Sequence, residues 1–336
     1  MRNLLITGGA GFIGANFVHY WLSNHAQDNV VVLDALTYAG NLKNLASIQN
    51  TTNYKFIEGN ILDQSLVQTI FTELNIDTVI HFAAESHVDR SIANPNDFIK
   101  TNVLGTAVLL AAAKDAWSTK KNTRFHHIST DEVYGSLGPD CQPFTENSSY
   151  SPNSPYSASK AASDHLVRAY HRTYNFPVTL SNCSNNYGPY QHFEKFIPTV
   201  IRSCLAWQPI PIYSDGSNIR DWLYVEDHCE AIDLIINNGK VGETYNIGGD
   251  NEINNLELAR KICCMMDTIK PAKTSYLSLI SFVKDRPGHD WRYAINATKI
   301  KSQLGFYPKT NFELGLLNTI NFYLEDFNTS LNLISV

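Results

Sequence analysis

Charge is scarce in this 336-residue chain. Asp, Glu, Lys and Arg together make up 17%, below the roughly 25% of an average soluble domain, although the apolar share is ordinary at 43%. The 26 basic residues are outnumbered by 32 acidic ones, for a formal net charge of −6. With no basic tract in sight, a nucleic-acid polymer is excluded as the expected partner, since nothing is built to neutralise a phosphate backbone. Long apolar runs are also missing. Val108–Ala113 is among the longest, far short of the roughly 18 residues a membrane span needs. The chain opens directly on a strand-like segment, MRNLLITGG, without the charged and apolar regions of an export signal. A cytoplasmic location is the expectation. The six cysteines (Cys141, Cys183, Cys204, Cys229, Cys263 and Cys264) show no CxxC spacing, and the 11 histidines no HExxH. Reduced, packed thiols are therefore expected rather than bridges, and no metal site. A chain this long forms one or two domains and buries a core without staples.

What is present is alternation. Strands are predicted at Asn3–Thr7, Val30–Asp34, Tyr54–Gly59, Thr78–Ala84, Arg124–Thr130 and Val178–Cys183, with helices such as Phe12–Asn24, Ser65–Leu74 and Val103–Trp117 between them. Strict alternation reads as βαβ units, hence an α/β, doubly wound parallel sheet of Rossmann type. Ligands of such sheets sit beyond the carboxyl ends of the strands. After Cys183 the alternation fades. Asn182–Tyr190 and Tyr213–Asp221 read as ordered loops, Glu243–Gly249 as a further strand, and Leu256–Met266 as an amphipathic helix. The expected division is residues 1–183 plus about 222–249 for the cofactor, with a smaller interleaved α/β substrate domain from about 184–221 plus 250–330.

Two motifs carry chemistry. TGGAGFIG places Gly8, Gly11 and Gly14 in a GxxGxxG pattern directly after the first strand and at the start of a helix. Such glycines let backbone approach a pyrophosphate, and the helix start offers free N–H groups and a positive dipole end. Asp34 ends the second strand, placed to hold a ribose 2′-hydroxyl and to repel a 2′-phosphate, which favours NAD over NADP. Further on, Ser154 and Pro155 read as N-cap and first residue of a helix that sets Tyr156 and Lys160 four apart on one face. A phenol with a pKa of about 10 is a poor base at neutral pH. A neighbouring ammonium is expected to lower that value and make it usable.

The glycine loop together with Tyr156-x-x-x-Lys160 resembles the extended short-chain dehydrogenase/reductase family. Within it, STDEVYG (Ser129–Gly135) resembles the NAD-dependent nucleotide-sugar dehydratases that act on dTDP-glucose. Epimerases of the family share Ser129 and the VYG end but lack the acid pair. Further segments agree, among them AAESHVDRS, NCSNNYGPYQ, DGSNIRDWLYVED and DRPGHDWRYAI, so the resemblance runs over essentially the whole chain.

The resemblance implies a reaction in which C4 of glucose is oxidised, water is lost across C5 and C6, and the hydride returns to C6. It implies Tyr156 as base for the C4 hydroxyl with Lys160 in support, Glu132 as base at C5, Asp131 as acid for the leaving C6 hydroxyl, and Thr130 as partner of the C4 oxygen. Asp131 and Glu132 are adjacent, so a regular strand would point them to opposite faces. They must lie where the fifth strand ends, and Asp131 needs surroundings that keep it protonated.

For the cofactor the resemblance implies Gly8, Gly11, Phe12, Ile13, Gly14, Asp34, Ala35, Leu36, Thr37, Asn60, Ile61, Phe82, Ala83, Ala84, Glu85, Thr101 and Asn186, besides Tyr156 and Lys160. For the substrate it implies Ser86, Thr130, Asn185, Lys195, Phe196, Pro211, Ile212, Tyr213, Arg220, Asn255, Asp285, Arg286, Pro287, Gly288 and His289. Asn60 stands where the family usually has an Asp, Ser214 where it has Gly, and Asn296 where it has Asp. The Asn60 oxygen is expected still to accept a hydrogen bond, with weakened cofactor binding. A homodimer through Val103–Trp117 and Ala158–Tyr174 is implied, as is a place in rhamnose or other deoxysugar synthesis.

The alternatives are the same chemistry on UDP-glucose, a 4-epimerase, and an inactive NAD-binding scaffold. Because the expected ligands are anions and the protein is acidic, binding must rest on a local positive island of Lys160, Lys195, Arg220 and Arg286.

Overall fold

Seven parallel strands form the platform of the site. The computed structural model describes residues 1–334, with side chains as far as 327. The strands are β1 (Asn3–Thr7), β2 (Asn29–Asp34), β3 (Tyr54–Glu58), β4 (Thr78–His81), β5 (Arg124–Thr130), β6 (Val178–Cys183), β7 (Asn185–Tyr187), β8 (Ile210–Tyr213), β9 (Ile219–Tyr224), β10 (Thr244–Ile247), β11 (Glu252–Asn254) and β12 (Ile280–Val283). The large sheet runs β10-β6-β5-β4-β1-β2-β3 with every neighbouring pair parallel. Leu4, Leu5, Ile6, Val32, Val79 and Ile80 are wholly buried in it, the mark of a sheet covered on both faces. One core cluster packs Leu5, Val79, Leu109 and Phe125 on one side, and another packs Leu4, Ile6, Phe17 and Ile80 on the other. Chain order reverses between β1 and β4, so the crevice beyond their carboxyl ends is the switch point where ligands bind.

β1, β5, β6 and the helix Phe12–Asn24 keep the bounds expected of them. β4 stops at His81, three residues short of the expected end. There the chain turns across the glycine loop: a Cβ on Gly8, whose φ is +71°, would meet the Ala83 nitrogen at 2.6 Å. The helix expected from Val103 begins as wide π-type turns over Ile99–Gly105 and becomes regular over Thr106–Ala116. Asn102 lies in the wide turns and ties them down, accepting from the Glu85 N–H (2.8 Å) and donating to Ser159 Oγ (2.8 Å).

Two segments expected to be loops contain strands. Asn185–Tyr187 is β7, and Ile219 opens β9; with β11 they form a three-stranded sheet, β11-β9-β7. Their Asn, Gly and Ser content concealed short strands whose partners lie far away in sequence. Tyr187, Trp222 and Tyr224 pack with Ile197, Ile201, Leu258, Ile262 and Leu316 into a separate core. All six cysteines are free thiols, four of them buried.

Candidate active site

At β1 the first turn is open to ligand. Gly11 is the N-cap of the helix Phe12–Asn24 and offers no capping side chain, so the first N–H groups of the helix are free for an anion. The three glycines have separate reasons. Gly8 takes the left-handed turn. A Cβ on Gly14 would lie 2.2 Å from the Gly8 carbonyl oxygen, whereas one on Gly11 would find only that oxygen, at 3.3 Å. Gly14 thus closes helix onto loop, and Gly11 keeps the loop's outer face bare.

Asp34 ends β2 with its carboxylate held by two backbone N–H groups, Ala10 at 2.9 Å and Leu36 at 2.8 Å. Burial pushes its pKa up and those two bonds pull it down. Asn60 follows β3, and its Oδ1 accepts from the Leu62 N–H at 2.9 Å. The cleft between these strand ends is lined by all the sequence-predicted cofactor residues except Leu36. Leu36 adopts φ +47° and contributes its N–H to Asp34 instead. Asn186 lines the wall, but its amide is engaged with the Ser184 carbonyl (3.0 Å) and His228 Nδ1 (2.8 Å).

The same cleft continues to the end of β5, where Thr130, Asp131, Glu132, Tyr156 and Lys160 all line it. β5 ends at Thr130 and a 3₁₀ turn, Asp131–Tyr134, begins at once. The Thr130 hydroxyl accepts from the Glu132 N–H at 3.3 Å, and Gly135, with φ +92°, closes the turn. That break in the strand releases the two adjacent acids from opposite faces. The helix Pro155–Tyr174 begins as expected: Ser154 and Ser157 form a reciprocal capping box with Pro155 in the first turn.

The two acids have different surroundings. Asp131 is 2% exposed and its Oδ2 has no hydrogen-bond partner. Burial, then the charges of Glu132 and Asp221, drive its pKa well above the ordinary carboxylate value. Burial raises Glu132 too, but Arg286, Lys195 and Arg220 oppose that shift. Asp131 is thus the group held protonated, and Glu132 the one helped to ionise.

Lys160 has a backbone partner that its spacing from Tyr156 did not indicate. Its Nζ donates to the Ile128 carbonyl oxygen at 2.7 Å, and its pKa is lowered by burial although Asp164 supports the charge. The Tyr156 phenol is driven well above its usual pKa by burial first, then by Glu132 and Cys183, with Thr130 opposing the shift. One donor of the ammonium is thus anchored to the backbone of β5.

Of the predicted substrate residues, Ser86, Thr130, Asn185 and Lys195 line the cleft. Lys195 Nζ donates to the Ser86 carbonyl at 2.8 Å, joining the two sides. Arg220 is buried, donates to the Asp290 carbonyl at 3.0 Å and lies 4.2 Å over the Tyr293 ring. Arg286 pairs with Asp89 at 3.7 Å, and His289 Nδ1 meets the Asp285 carboxylate at 2.7 Å. Tyr213 stacks edge-on to His289 and reaches Asp89 through its hydroxyl. Pro211 and Tyr213 project outward from β8, whereas Ile212 points into the core with no exposed surface. A side-chain contact from Ile212 to substrate is therefore ruled out by the alternation of the strand. Phe196 packs against the core of Tyr187 and Trp222, and Asn255 is the first residue of a helix capped by the Asn254 side chain, with its own N–H bonded to the Asn218 carbonyl. Pro287 and Gly288 lie on the 285–289 loop.

Sequence reasoning missed Tyr38, Gln191 and His192 in the cleft wall, and Asp221 and Asp164 beneath it. Asp221 accepts from the Gly249 and Asn251 N–H groups, and Asp164 from Ser129 and Tyr150. Gln191 and Asp221 lie within the family segments NCSNNYGPYQ and DGSNIRDWLYVED, which could have pointed to them, whereas for Tyr38, His192 and Asp164 the signal is spatial.

The family model described as GDP-mannose 4,6 dehydratase matches residues 5–319. A dTDP-glucose 4,6-dehydratase of Xanthomonas campestris is 53% identical over 333 residues, covering 97% of this chain and 94% of that protein. The crystal structure of a dTDP-glucose 4,6-dehydratase from Bacillus anthracis in complex with NAD is 44% identical, covers 98% of each chain and gives a TM-score of 0.87. That of the Streptomyces venezuelae dTDP-glucose 4,6-dehydratase, also with NAD bound, is 44% identical with a TM-score of 0.90, over 97% of this chain and 98% of the other. Fold, adjacent acids and full-length identity converge: the chain belongs to the dTDP-glucose 4,6-dehydratase family.

Proposed function

We propose that the chain is an NAD-dependent hydro-lyase that converts dTDP-glucose to dTDP-4-keto-6-deoxyglucose. The observation that carries this reading is the unequal pair at the end of β5, a buried Asp131 beside a Glu132 faced by three cations. An epimerase has no use for such a pair. The relatives described above are dTDP-glucose dehydratases, which supports dTDP-glucose over UDP-glucose as the substrate.

The residues present fit a dinucleotide. The bare, uncapped helix start suits a pyrophosphate, and Asp34 suits a ribose hydroxyl. Gly8, Gly11, Phe12, Ile13 and Gly14 would hold the phosphates, with Asp34 to Thr37 and Asn60–Ile61 toward the adenosine end. Phe82 to Glu85, Thr101, Tyr156 and Lys160 would hold the nicotinamide end. NAD supplies a hydride acceptor at C4 and a donor at C6.

Tyr156 takes the C4 hydroxyl proton as its phenolate, a form that needs the positive charge a bound cofactor would bring because burial alone keeps the phenol protonated, and Thr130 steadies the C4 oxygen. The resulting ketone makes the C5 proton acidic. Glu132 removes it while Asp131 protonates the departing C6 hydroxyl, releasing water. Glu132 then returns its proton to C5 as C6 receives the hydride. Over one cycle Tyr156 gains a proton and Asp131 loses one, so that proton must return before the next. Lys195, Arg220 and Arg286 suit the diphosphate, Arg through its forked donors.

We infer also that the chain divides into residues 1–183 plus about 222–249, and about 184–221 plus 250–330, a boundary that falls inside β9. A homodimer is supported by the exposed Ile99, Leu104 and Tyr174 on or beside the expected interface helices, and light scattering would test it. No helix among the described residues is long and apolar enough to cross a membrane. A cytoplasmic role in rhamnose-type deoxysugar synthesis is the proposed setting. The deciding experiment offers dTDP-glucose, UDP-glucose and GDP-mannose deuterated at C4 and reads products by mass spectrometry. Deuterium at C6 of a dehydrated dTDP sugar supports the reading; an epimer without mass loss, or no product, overturns it.

A further inference from the structure

Two side chains one turn apart on the helix Pro155–Tyr174 grip three consecutive residues of β5. Lys160 Nζ donates to the Ile128 carbonyl oxygen at 2.7 Å. Four positions on, Asp164 Oδ2 accepts from Ser129 Oγ at 2.8 Å and from the Tyr150 hydroxyl at 2.9 Å, and its Oδ1 lies 3.2 Å from His127 Nε2. His127 and Ser129 point to the same face of the strand, so the carboxylate meets both side chains while the ammonium takes the main-chain oxygen between them. Lys160 is 5% exposed and Asp164 not at all.

Charges sealed in this way need a partner of opposite sign. Other titratable groups packed around the pair are held neutral. Burial pushes down the imidazoles of His81, on β4, and His127, and it pushes the Cys183 thiol, on β6, up to about 12. Arg168, a turn beyond Asp164, donates instead to the Tyr150 hydroxyl at 2.7 Å and to Thr244 at 3.3 Å. Burial raises the pKa of Asp164, and Lys160 is first among the groups that oppose this, ahead of Ser129, Arg168 and Tyr150. Burial lowers the pKa of Lys160, and Asp164 is first among the groups that oppose that.

We propose that Asp164 is a positioning residue, the buried counter-charge that keeps Lys160 an ammonium and locks the catalytic helix onto β5 just before Thr130, Asp131 and Glu132. It lies beneath the cleft and acts through Lys160 and Ser129.

This inference rests on the reaction proposed above, and its first test needs no turnover. Melting temperatures are compared for Lys160→Met, Asp164→Asn and the double variant. Each single change leaves a buried charge without its partner, whereas the double change leaves neither charge. The double variant should therefore lose at least about 2 °C less than the two single losses add up to. A double variant that folds where a single one does not carries the same meaning. Additive losses, or a double variant that fails to fold along with Asp164→Asn, overturn the inference whatever the substrate proves to be.

The second test reads kcat against pH with dTDP-glucose. Asp164→Asn removes the charge that sustains the ammonium, so kcat should begin its alkaline fall about one pH unit or more below the native protein, while Asp164→Glu should stay within about half a unit of it. A uniformly lower kcat with the alkaline limb unmoved makes Asp164 a structural acid and overturns the positioning role. If the native protein does not turn over, the reaction reading fails, and the melting cycle still decides the ion pair.

Discussion

Lys160 Nζ and the carbonyl oxygen of Ile128 are 2.7 Å apart. The catalytic helix is thereby tied by its ammonium to the strand that delivers Thr130 and the two acids. Lysine suits this place because a compact ammonium on a flexible stem can satisfy one buried carbonyl. Lys160→Met should lower kcat by about a hundredfold or more, because Tyr156 then loses its fixed position relative to Thr130 and the two acids. Lys160→Arg should restore little, since a planar fork cannot fit a site built around one oxygen. Steady-state rates for the two variants test this, and recovery by Arg to near-native kcat would show that charge alone matters.

The glycine loop separates fold from binding. Gly14→Ala puts a methyl 2.2 Å from the Gly8 oxygen, so helix and loop must part. About 1–3 kcal/mol of stability should go with them, as for other overpacked contacts. Gly11→Ala meets nothing closer than 3.3 Å and should fold normally while losing NAD affinity, because its methyl occupies the bare face. Urea midpoints and dinucleotide titrations on both variants check the contrast. Equal loss of stability in the two would refute it.

Much of the platform was legible in the sequence because its signals are local. The strand Asn29–Asp34 with its run of three valines, the Ser154-Pro155 helix start and the glycine loop each act over a few residues, and the structure keeps them. The end of β4, the wide turns before Thr106 and the strands β7 and β9 depend on partners distant in the chain. The same holds for the site. The acid pair could be named from the sequence, but its unequal protonation depends on Asp221 and Arg286, about 90 or more positions away. The backbone partner of Lys160, a main-chain carbonyl, has no sequence signature.

Four histidines are sealed in the fold. His81 bonds Thr7 and Thr106, and His126 bonds Thr179 and Ser181. His127 faces Ser163 and Asp164, while His228 faces Asn186. Burial drives all four pKa values down, His228 to about 3. In the unfolded chain each returns to about 6.5. Above that value neither state binds the protons and the histidines leave stability untouched; below it the unfolded state binds them first. Stability should fall as pH drops below about 6.5, by up to about 1.4 kcal/mol per pH unit for each histidine. Urea midpoints between about pH 7 and about pH 5 should show the decline, and His228→Gln should reduce its slope. An unchanged slope in His228→Gln would contradict a buried, neutral ring at that position.

Asp131 sets catalysis against stability. Its raised pKa means the folded state holds the proton more tightly than the unfolded chain does. Its stabilising effect is therefore present at low pH and is lost as pH rises through the folded pKa. Asp131→Asn keeps the shape and removes the charge that high pH would place beside Glu132 and Asp221. The variant should melt higher than the native protein, by about 2 °C or more, with the gain growing toward alkaline pH. It should also fail in one step only. An amide cannot protonate the leaving C6 hydroxyl, but it leaves Tyr156, Thr130 and Lys160 where they are. C4 oxidation should proceed while water loss slows by about a hundredfold or more. Rapid-mixing measurements would then show reduced nicotinamide accumulating in the first turnover instead of passing its hydride on. Equal slowing of both steps, or a melting temperature that falls, would mean that Asp131 is an ionised structural acid and that water loss draws its proton from elsewhere.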